Sequence, residues 1–407
     1  MLPSGVGTQT KYVIEALLRS GKFEIISLGG AIKHPDYTPM QTEEWREAWT
    51  IIPVDGYGDV NTIRQVLHAH KPDILWFMTD PRFYDWLWQI EDEIRENIPM
   101  VYYHVWDNKP IPVFNKPYYT SNDFIATISK VTSECVRGVA PEVEEKYVPH
   151  AVPDYFKNLR DDPNTSRILK DAKDNNAFLK NKFVFFWNNR NARRKQSGTI
   201  IFWFKKFLDK VGHDKACLLM HTEVVDPNGQ PLEFITQHLG LTDGQVVFSK
   251  KKVDPDQLAL MYNMADCTIN IADAEGFGLA TLESLSCETP IIVNMTGGLQ
   301  EQVTDGEDWF GIGIEPCSKA IIGSLNVPFI REDRLNEDEV VDAMERMFLM
   351  TEEERRELGR KGRAHVEKNY NFEDFNKTWV EVMLGIHEKY GSWDTRKNHK
   401  RWELIEV

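Results

Sequence analysis

Glu275-Gly276-Phe277-Gly278-Leu279-Ala280-Thr281-Leu282-Glu283 comes shortly after the apolar run Cys267-Thr268-Ile269-Asn270-Ile271. The run has the length and β-branched content of a buried strand, and Leu279 onward has the apolar character of a helix start. A strand, a glycine-bearing turn and a helix in that order point backbone N–H groups and the positive end of a helix at an anion. If Leu279 opens the helix, Glu283 lies about 6 Å further along the axis, at ~1.5 Å per residue. Glu275, still in the turn, is held on the other side of the anion. Two carboxylates flanking a phosphate-sized space suit a ligand with hydroxyls at each end and a diphosphate between. Taken alone, the pair is also what a solvated turn carboxylate and a helix-face glutamate would give.

Outward from this stretch, strands and helices alternate. The spacing of apolar residues predicts helices over 8–20, 59–70, 84–95 and 130–138, and strands over 23–28, 51–53, 73–77, 100–104, 124–128 and 146–149. Residues 158–181 are polar with few core candidates and read as a domain connection. A second alternation starts with a strand at 183–187 and ends with one at 290–293. Such repetition predicts parallel sheets covered on both faces. The fold expected is α/β: two doubly wound, Rossmann-like domains (1–155 and 182–370) facing across a cleft, joined by a linker at 156–181. The remaining 371–407 reads as helical, ending in a basic, solvated tail at 396–401. One oddity stands at the start: Met1 to Thr8 has the character of a loop that follows a first strand, yet no strand precedes it. Residues 310–335 are a polar stretch.

The chain has 407 residues, 42% apolar and 27% charged, with a net charge of −15. That is the profile of a soluble globular protein, and the acidic balance argues against nucleic acid or an anionic membrane as the default partner. Five scattered cysteines without a CxxC or Cys/His cluster suggest reduced thiols, a cytoplasmic setting and no structural zinc. No apolar run approaches the ~20 residues of a membrane span, and no leader is expected.

Other segments carry chemistry. The strand 183–187 runs out into Asn188-Asn189-Arg190-Asn191-Ala192-Arg193-Arg194-Lys195. Cations there oppose a helix dipole, so an anionic ligand is a better explanation than an ordinary helix start. Gly5 and Gly7, beside a helix start, suit backbone linings for phosphate or sugar; Thr296-Gly297-Gly298 reads as a tight turn. His104 ends a strand and is expected to face the cleft, with Asp107 nearby to orient it or meet an acceptor; His150 is expected to be structural. Asp254-Pro255-Asp256 is a DxD triplet, but a proline after aspartate before a helical pattern is an N-cap followed by proline at N1. It is therefore not taken as a metal site.

Over 183–303 above all, the chain resembles the retaining GT-B glycosyltransferases of family 4. The polar stretch 310–335 is longer than that family has there. The resemblance implies that 1–155 is the acceptor side, that 182–370 binds the nucleotide sugar and that the helix of 371–407 crosses back to the first domain. It implies that Glu275 and His104 contact the transferred sugar, that Arg190 and Lys195 neutralise the donor diphosphate, and that Glu283 meets the ribose. Gly5, Gly7, Gly276, Phe277, Gly278, Leu279 and Gly298 would line the donor. The activity implied is transfer of a sugar from a UDP-, GDP- or ADP-sugar to a hydroxyl acceptor with retention, without cofactor or metal. Three rivals share the architecture: a sugar-nucleotide epimerase or phosphorylase, a glycosyltransferase acting on DNA bases, and a non-catalytic nucleotide-sugar-binding subunit.

Overall fold

The computed structural model of the chain describes residues 4–30 and 32–399. Fifteen strands are numbered here in chain order. The first half holds β1 (Ile25–Gly29), β2 (Met40–Gln41), β3 (Trp49–Pro53), β4 (Leu75–Thr79), β5 (Met100–His104), β6 (Phe124–Thr127) and β7 (Glu144–Tyr147). The second holds β8 (Phe183–Asn188), β9 (Ala216–His221), β10 (Val246–Ser249), β11 (Cys267–Asn270), β12 (Ile291–Asn294) and β13 (Gly311–Ile314), followed by β14 (Ser318–Ile322) and β15 (Ile330–Arg334).

The second sheet runs β10-β9-β8-β11-β12-β13, all parallel. Counted within its domain the order is 3-2-1-4-5-6, so the direction of winding reverses between β8 and β11. Ligands of open α/β sheets bind beyond the carboxyl ends of the strands at that reversal. The strands are largely apolar and buried because helices cover both faces: Val184, Phe185, Phe186 and Trp187 are all fully buried.

The first half departs from a single parallel sheet. Its strands form two sheets, β1-β3-β2 and β4-β5-β6-β7, and β2 is antiparallel to β3. The chain enters through helix Gly5–Arg19, which Ser4 caps by accepting from the Gly7 N–H; residues 1–3 of the loop-like start lie outside the described residues. Ile14 and Leu18 of that helix pack on Trp49, while Val13 and Leu17 join the larger core.

Three expectations are revised. The connection at 158–181 contains the helix Pro163–Asn175, capped by Asp162. The helix expected at 84–95 is broken into short pieces, Asp85–Trp88 and Glu91–Arg95. The basic tail is docked as far as it is described: Arg396 is buried against Asp123 at 2.8 Å, and Trp393 donates to the carbonyl of Pro72. A buried carboxylate supplies the counter-charge that composition alone does not reveal. Helix Phe372–Tyr390 does cross back, with Trp379 fully buried edge-on to Trp76 and Tyr103. Among the described residues no helix is long and apolar enough to cross a membrane, and none of the five cysteines is bonded to another.

Candidate functional site

Two loops leave the carboxyl ends of β8 and β11 and meet at the winding reversal. The β11 loop carries Asp273 to Gly278 and ends in helix Leu279–Ser286, with Gly278 at φ +94° in front of it. This loop interleaves with the one after β12: the Gly298 N–H donates to the Glu275 carbonyl at 3.0 Å. A side chain at Gly297 would put its Cβ 1.9 Å from the Glu275 carbonyl oxygen, and one at Gly298 would sit 2.6 Å from the Phe277 Cα. Backbone approaches this close are open only to glycine.

The cations of the β8 loop fan out to different partners. Lys195 forms an ion pair with Glu275, both almost fully buried. Arg194 donates to the Ala274 carbonyl at 2.7 Å and faces Asp107 at 3.5 Å. Arg193 pairs with Glu332. Arg190, by contrast, is largely exposed and turns to Asp226, at 2.8 Å. The structure thus brings Lys195 to Glu275 but places Arg194, not Arg190, beside them. Sequence spacing did not distinguish these arginines, because Gln196 at φ +56° turns the chain in a way no pattern announces. Arg194→Ala is expected to lower the turnover number by about 10- to 100-fold and Arg190→Ala by less than about fivefold; kinetics of the two purified variants decide it.

Burial raises Lys195's cost of ionisation and holds its pKa below the ordinary lysine value, against the pull of Glu275. Burial likewise pushes Glu275 upward, but Lys195 and Arg194 outweigh it and leave the carboxyl below its usual range. Asn270 reaches the same carboxylate at 3.4 Å. Desolvation brings the buried Asp273 up to about 6, although Gln196 donates to it at 2.5 Å.

Glu283 occupies a second lobe. Its carboxylate accepts from the Tyr262 hydroxyl at 2.6 Å, and Asn188 donates to that hydroxyl at 2.8 Å. Burial pushes Glu283 up to about 7. The hydroxyls of Tyr12 and Tyr155 meet at 2.7 Å close by, and a groove of about 610 Å³ opens beside them, lined in part by Gly7, Trp49 and Pro255. Tyr262, Asn188 and Tyr155 were not anticipated as site residues: Tyr262 lies inside the buried helix Pro255–Met264 and reads as core, and Asn188 ends β8.

The first half closes over these loops. A Cβ on Gly276 would lie 3.0 Å from the Trp106 carbonyl and 3.1 Å from Asp107 Oδ1. A Cβ on Gly5 would lie 3.3 Å from Leu279 Cδ1, so the starts of helices Gly5–Arg19 and Leu279–Ser286 converge. Gly7 is two residues further in, its N–H taken by Ser4. Phe277 turns its buried ring between His150 and Tyr370 and leaves only backbone to the site.

His104 is a correction. It does not face the cleft: it is fully buried, with Nδ1 against the Tyr102 hydroxyl at 2.9 Å and Nε2 against the Tyr119 hydroxyl at 2.7 Å. Tyrosines on its own strand and on a neighbouring helix satisfy both nitrogens, so nothing draws the ring outward. Burial pulls its pKa down to about 3. His150 is similar, lowered to about 3 by burial and bonded to Tyr103 at 2.7 Å, as expected of a structural histidine. Both stay neutral in the fold while the unfolded chain takes up protons below ~6.5, so they favour folding above that pH and oppose it as pH falls toward 3. His104→Leu should cost about 1–3 kcal/mol of stability by removing one partner from each of the buried Tyr102 and Tyr119 hydroxyls, yet leave turnover within about threefold; denaturant titration and kinetics on one preparation test both halves. The DxD triplet caps a helix, with Asp254 accepting from the Gln257 N–H and Pro255 in the first turn.

Residues 170–365 match the family described as Glycosyl transferases group 1. Among curated proteins, the D-inositol 3-phosphate glycosyltransferase of Acidothermus cellulolyticus is 36% identical over 104 residues, 25% of this chain and 23% of that protein. A protein of the same name from Catenulispora acidiphila, numbered 2, is 34% identical over 100 residues, 24% and 23% of the two chains. The chain therefore spans about a quarter of the length of the curated relatives it matches. Among solved structures, sucrose-phosphate synthase from Thermosynechococcus elongatus superposes with a TM-score of 0.72 at 16% identity, covering 95% of this chain and 94% of that one. An alpha,alpha-trehalose-phosphate synthase (UDP-forming) from Burkholderia vietnamiensis gives 0.68 at 12%, covering 94% and 96%. The chain has the two-domain GT-B fold of these structures, Rossmann-like domains facing across a cleft, and its residues 170–365 are similar to the glycosyl transferases group 1 family.

Proposed function

We propose that the chain is a retaining glycosyltransferase that moves a sugar from a nucleotide-diphosphate sugar to a hydroxyl acceptor without a metal ion. The observation that carries this is the buried Lys195–Glu275 pair beside Arg194, at the winding reversal and at the start of helix Leu279–Ser286. Fixed cations and oriented amides, already dehydrated, stabilise charge that appears only as a diphosphate leaves.

In the reaction the bond from the anomeric carbon to the terminal phosphate oxygen breaks and a bond to the acceptor oxygen forms on the same face. The acceptor hydroxyl gives its proton to the departing phosphate oxygen. Lys195, Arg194 and the amides at the start of helix Leu279–Ser286 meet the charge on the diphosphate. Glu275 then exchanges part of its bond to Lys195 for hydroxyls of the sugar. Glu283 accepts from the ribose hydroxyls, and the adjoining groove takes the nucleoside. Uridine is the first base to try, since the name of the Burkholderia relative in fold includes UDP-forming. A sugar or polyol hydroxyl is the first acceptor, given the inositol phosphate in the names of the sequence relatives.

A mass-spectrometric screen of nucleotide sugars against a panel of polyols and sugar phosphates tests the proposal, with the product anomer read by NMR. Transfer with retained configuration that survives a chelator is expected. An epimer formed without acceptor, an inverted product, or chelator-sensitive transfer would each contradict a stated part of it.

A further inference from the structure

The insertion at 310–335 is not a loose loop. After β13 it folds into the antiparallel hairpin β14–β15, and β15 runs across the top of the site. Its Asp333 N–H donates to the Asp273 carbonyl at 2.8 Å, tying the hairpin to the loop that bears Glu275. Its Arg331 N–H donates to the Lys109 carbonyl at 2.7 Å, in the first domain. Between these anchors the Asp333 carboxylate is 5% exposed. One oxygen accepts from Asn108 of the first domain at 2.7 Å and from Thr296 of the second at 2.8 Å. Beyond it, Phe329 lies edge-on to Phe114 at 5.0 Å, and Val327 is buried with Trp106.

We propose that this hairpin is an interdomain clamp keyed by Asp333, which fixes the Trp106–Asn108 turn against the Glu275 loop at the sugar end of the site. Asp333 is thus a positioning residue. It touches neither sugar nor phosphate, but it bonds the two segments that carry Asp107 and Gly297, which must stay in register for the acceptor to approach the anomeric carbon. A side chain bonded to both domains beside the Glu275 loop, with no bond to the Glu283–Tyr262 group, separates sugar positioning from nucleotide binding. The clamp also predicts little opening of the cleft between free and nucleotide-bound states.

The kinetic part rests on the proposed function; the closure part does not. Three variants serve: Asp333→Ala, Asp333→Asn (whose amide oxygen still accepts from Asn108 and Thr296), and Asn108→Ala, which cuts the same contact from the other domain. Small-angle scattering with and without uridine diphosphate, at a concentration shown to saturate binding, should give the same radius of gyration for the natural chain. Asp333→Ala or Asn108→Ala should enlarge the free form and contract on nucleotide. The turnover number should fall about tenfold or more, since sub-ångström misplacement of reacting groups is costly. The dissociation constant for uridine diphosphate should stay within about threefold, and Asp333→Asn should recover most of the turnover. A natural chain that contracts as much as Asp333→Ala overturns the clamp. So does equal loss of turnover and nucleotide affinity, or an Asp333→Asn no better than alanine. If Asp333→Ala does not fold, Asn108→Ala decides alone. Absence of transfer by the natural chain on every donor would remove the proposed function, while scattering would still decide the clamp.

Discussion

Lys195→Ala is expected to cut the turnover number by about 10³-fold, close to 4 kcal/mol of barrier, while the nucleotide still binds. Lys195 is the one cation of the 190–195 run paired to the Glu275 carboxylate in a dehydrated pocket. On the proposed function its charge is worth most when the diphosphate departs, so the loss should appear in turnover rather than in donor affinity. Stability supplies a second readout. Removing one member of a buried ion pair leaves the other charge uncompensated, typically at about 3–5 kcal/mol, here softened by Arg194. The double variant Lys195→Ala/Glu275→Ala removes the stranded charge, so it should be more stable than Lys195→Ala yet no more active. Glu275→Gln should itself nearly abolish transfer while sparing nucleotide binding. Turnover within tenfold of the natural chain in Lys195→Ala, or stability that falls further in the double variant, would refute the assignment.

Much of the second domain was legible in the sequence because its strands are buried on both faces. Continuous apolar runs such as 183–187 and 290–293 give their position away, and the proline and aspartate at 254–255 mark a helix start by local geometry alone. The first domain was harder. Its partly exposed strands β1 and β3 carry a weaker apolar signal, and the division into two sheets depends on pairing between distant segments.

At the site, chain position was legible and side-chain direction was not. The fan of Arg190, Arg193, Arg194 and Lys195 to Asp226, Glu332, Asp107 and Glu275 is set by acidic partners 36 to 139 residues away, one of them in the other domain. His104 illustrates the same limit. A strand-end histidine is aimed by its neighbours, and two tyrosine hydroxyls turn this one inward. The hairpin β14–β15 was visible only as an insertion, because the partners that order it, Asn108 and Phe114, lie far back in the chain.

Glu283→Gln is expected to stabilise the protein and weaken nucleotide binding at once, each with its own pH dependence. Burial raises the Glu283 carboxyl to about 7 against an ordinary 4.5, and the Tyr262 hydroxyl only partly opposes it. Between those values the folded chain holds a proton that the unfolded chain has released, so stability falls as pH rises through the window and stays lower above it. A shift of this size corresponds to about 3 kcal/mol. Glutamine carries no charge to desolvate, so Glu283→Gln should gain roughly 1–3 kcal/mol over the natural chain at pH 8 and nothing at pH 4.5. Binding runs the other way. On the proposed function the ribose hydroxyls donate to the ionised carboxylate, so affinity for the nucleoside diphosphate should rise as pH climbs through about 7. A hydrogen bond to a charged acceptor contributes about 1.5–3 kcal/mol; Glu283→Gln should therefore bind about 10- to 100-fold more weakly at pH 8, with a flattened pH profile. Thermal melts and calorimetric titrations at the two pH values separate the effects. A variant less stable at pH 8 would mean that the carboxylate is paid back by contacts beyond Tyr262. A variant with unchanged nucleotide affinity would place the ribose elsewhere.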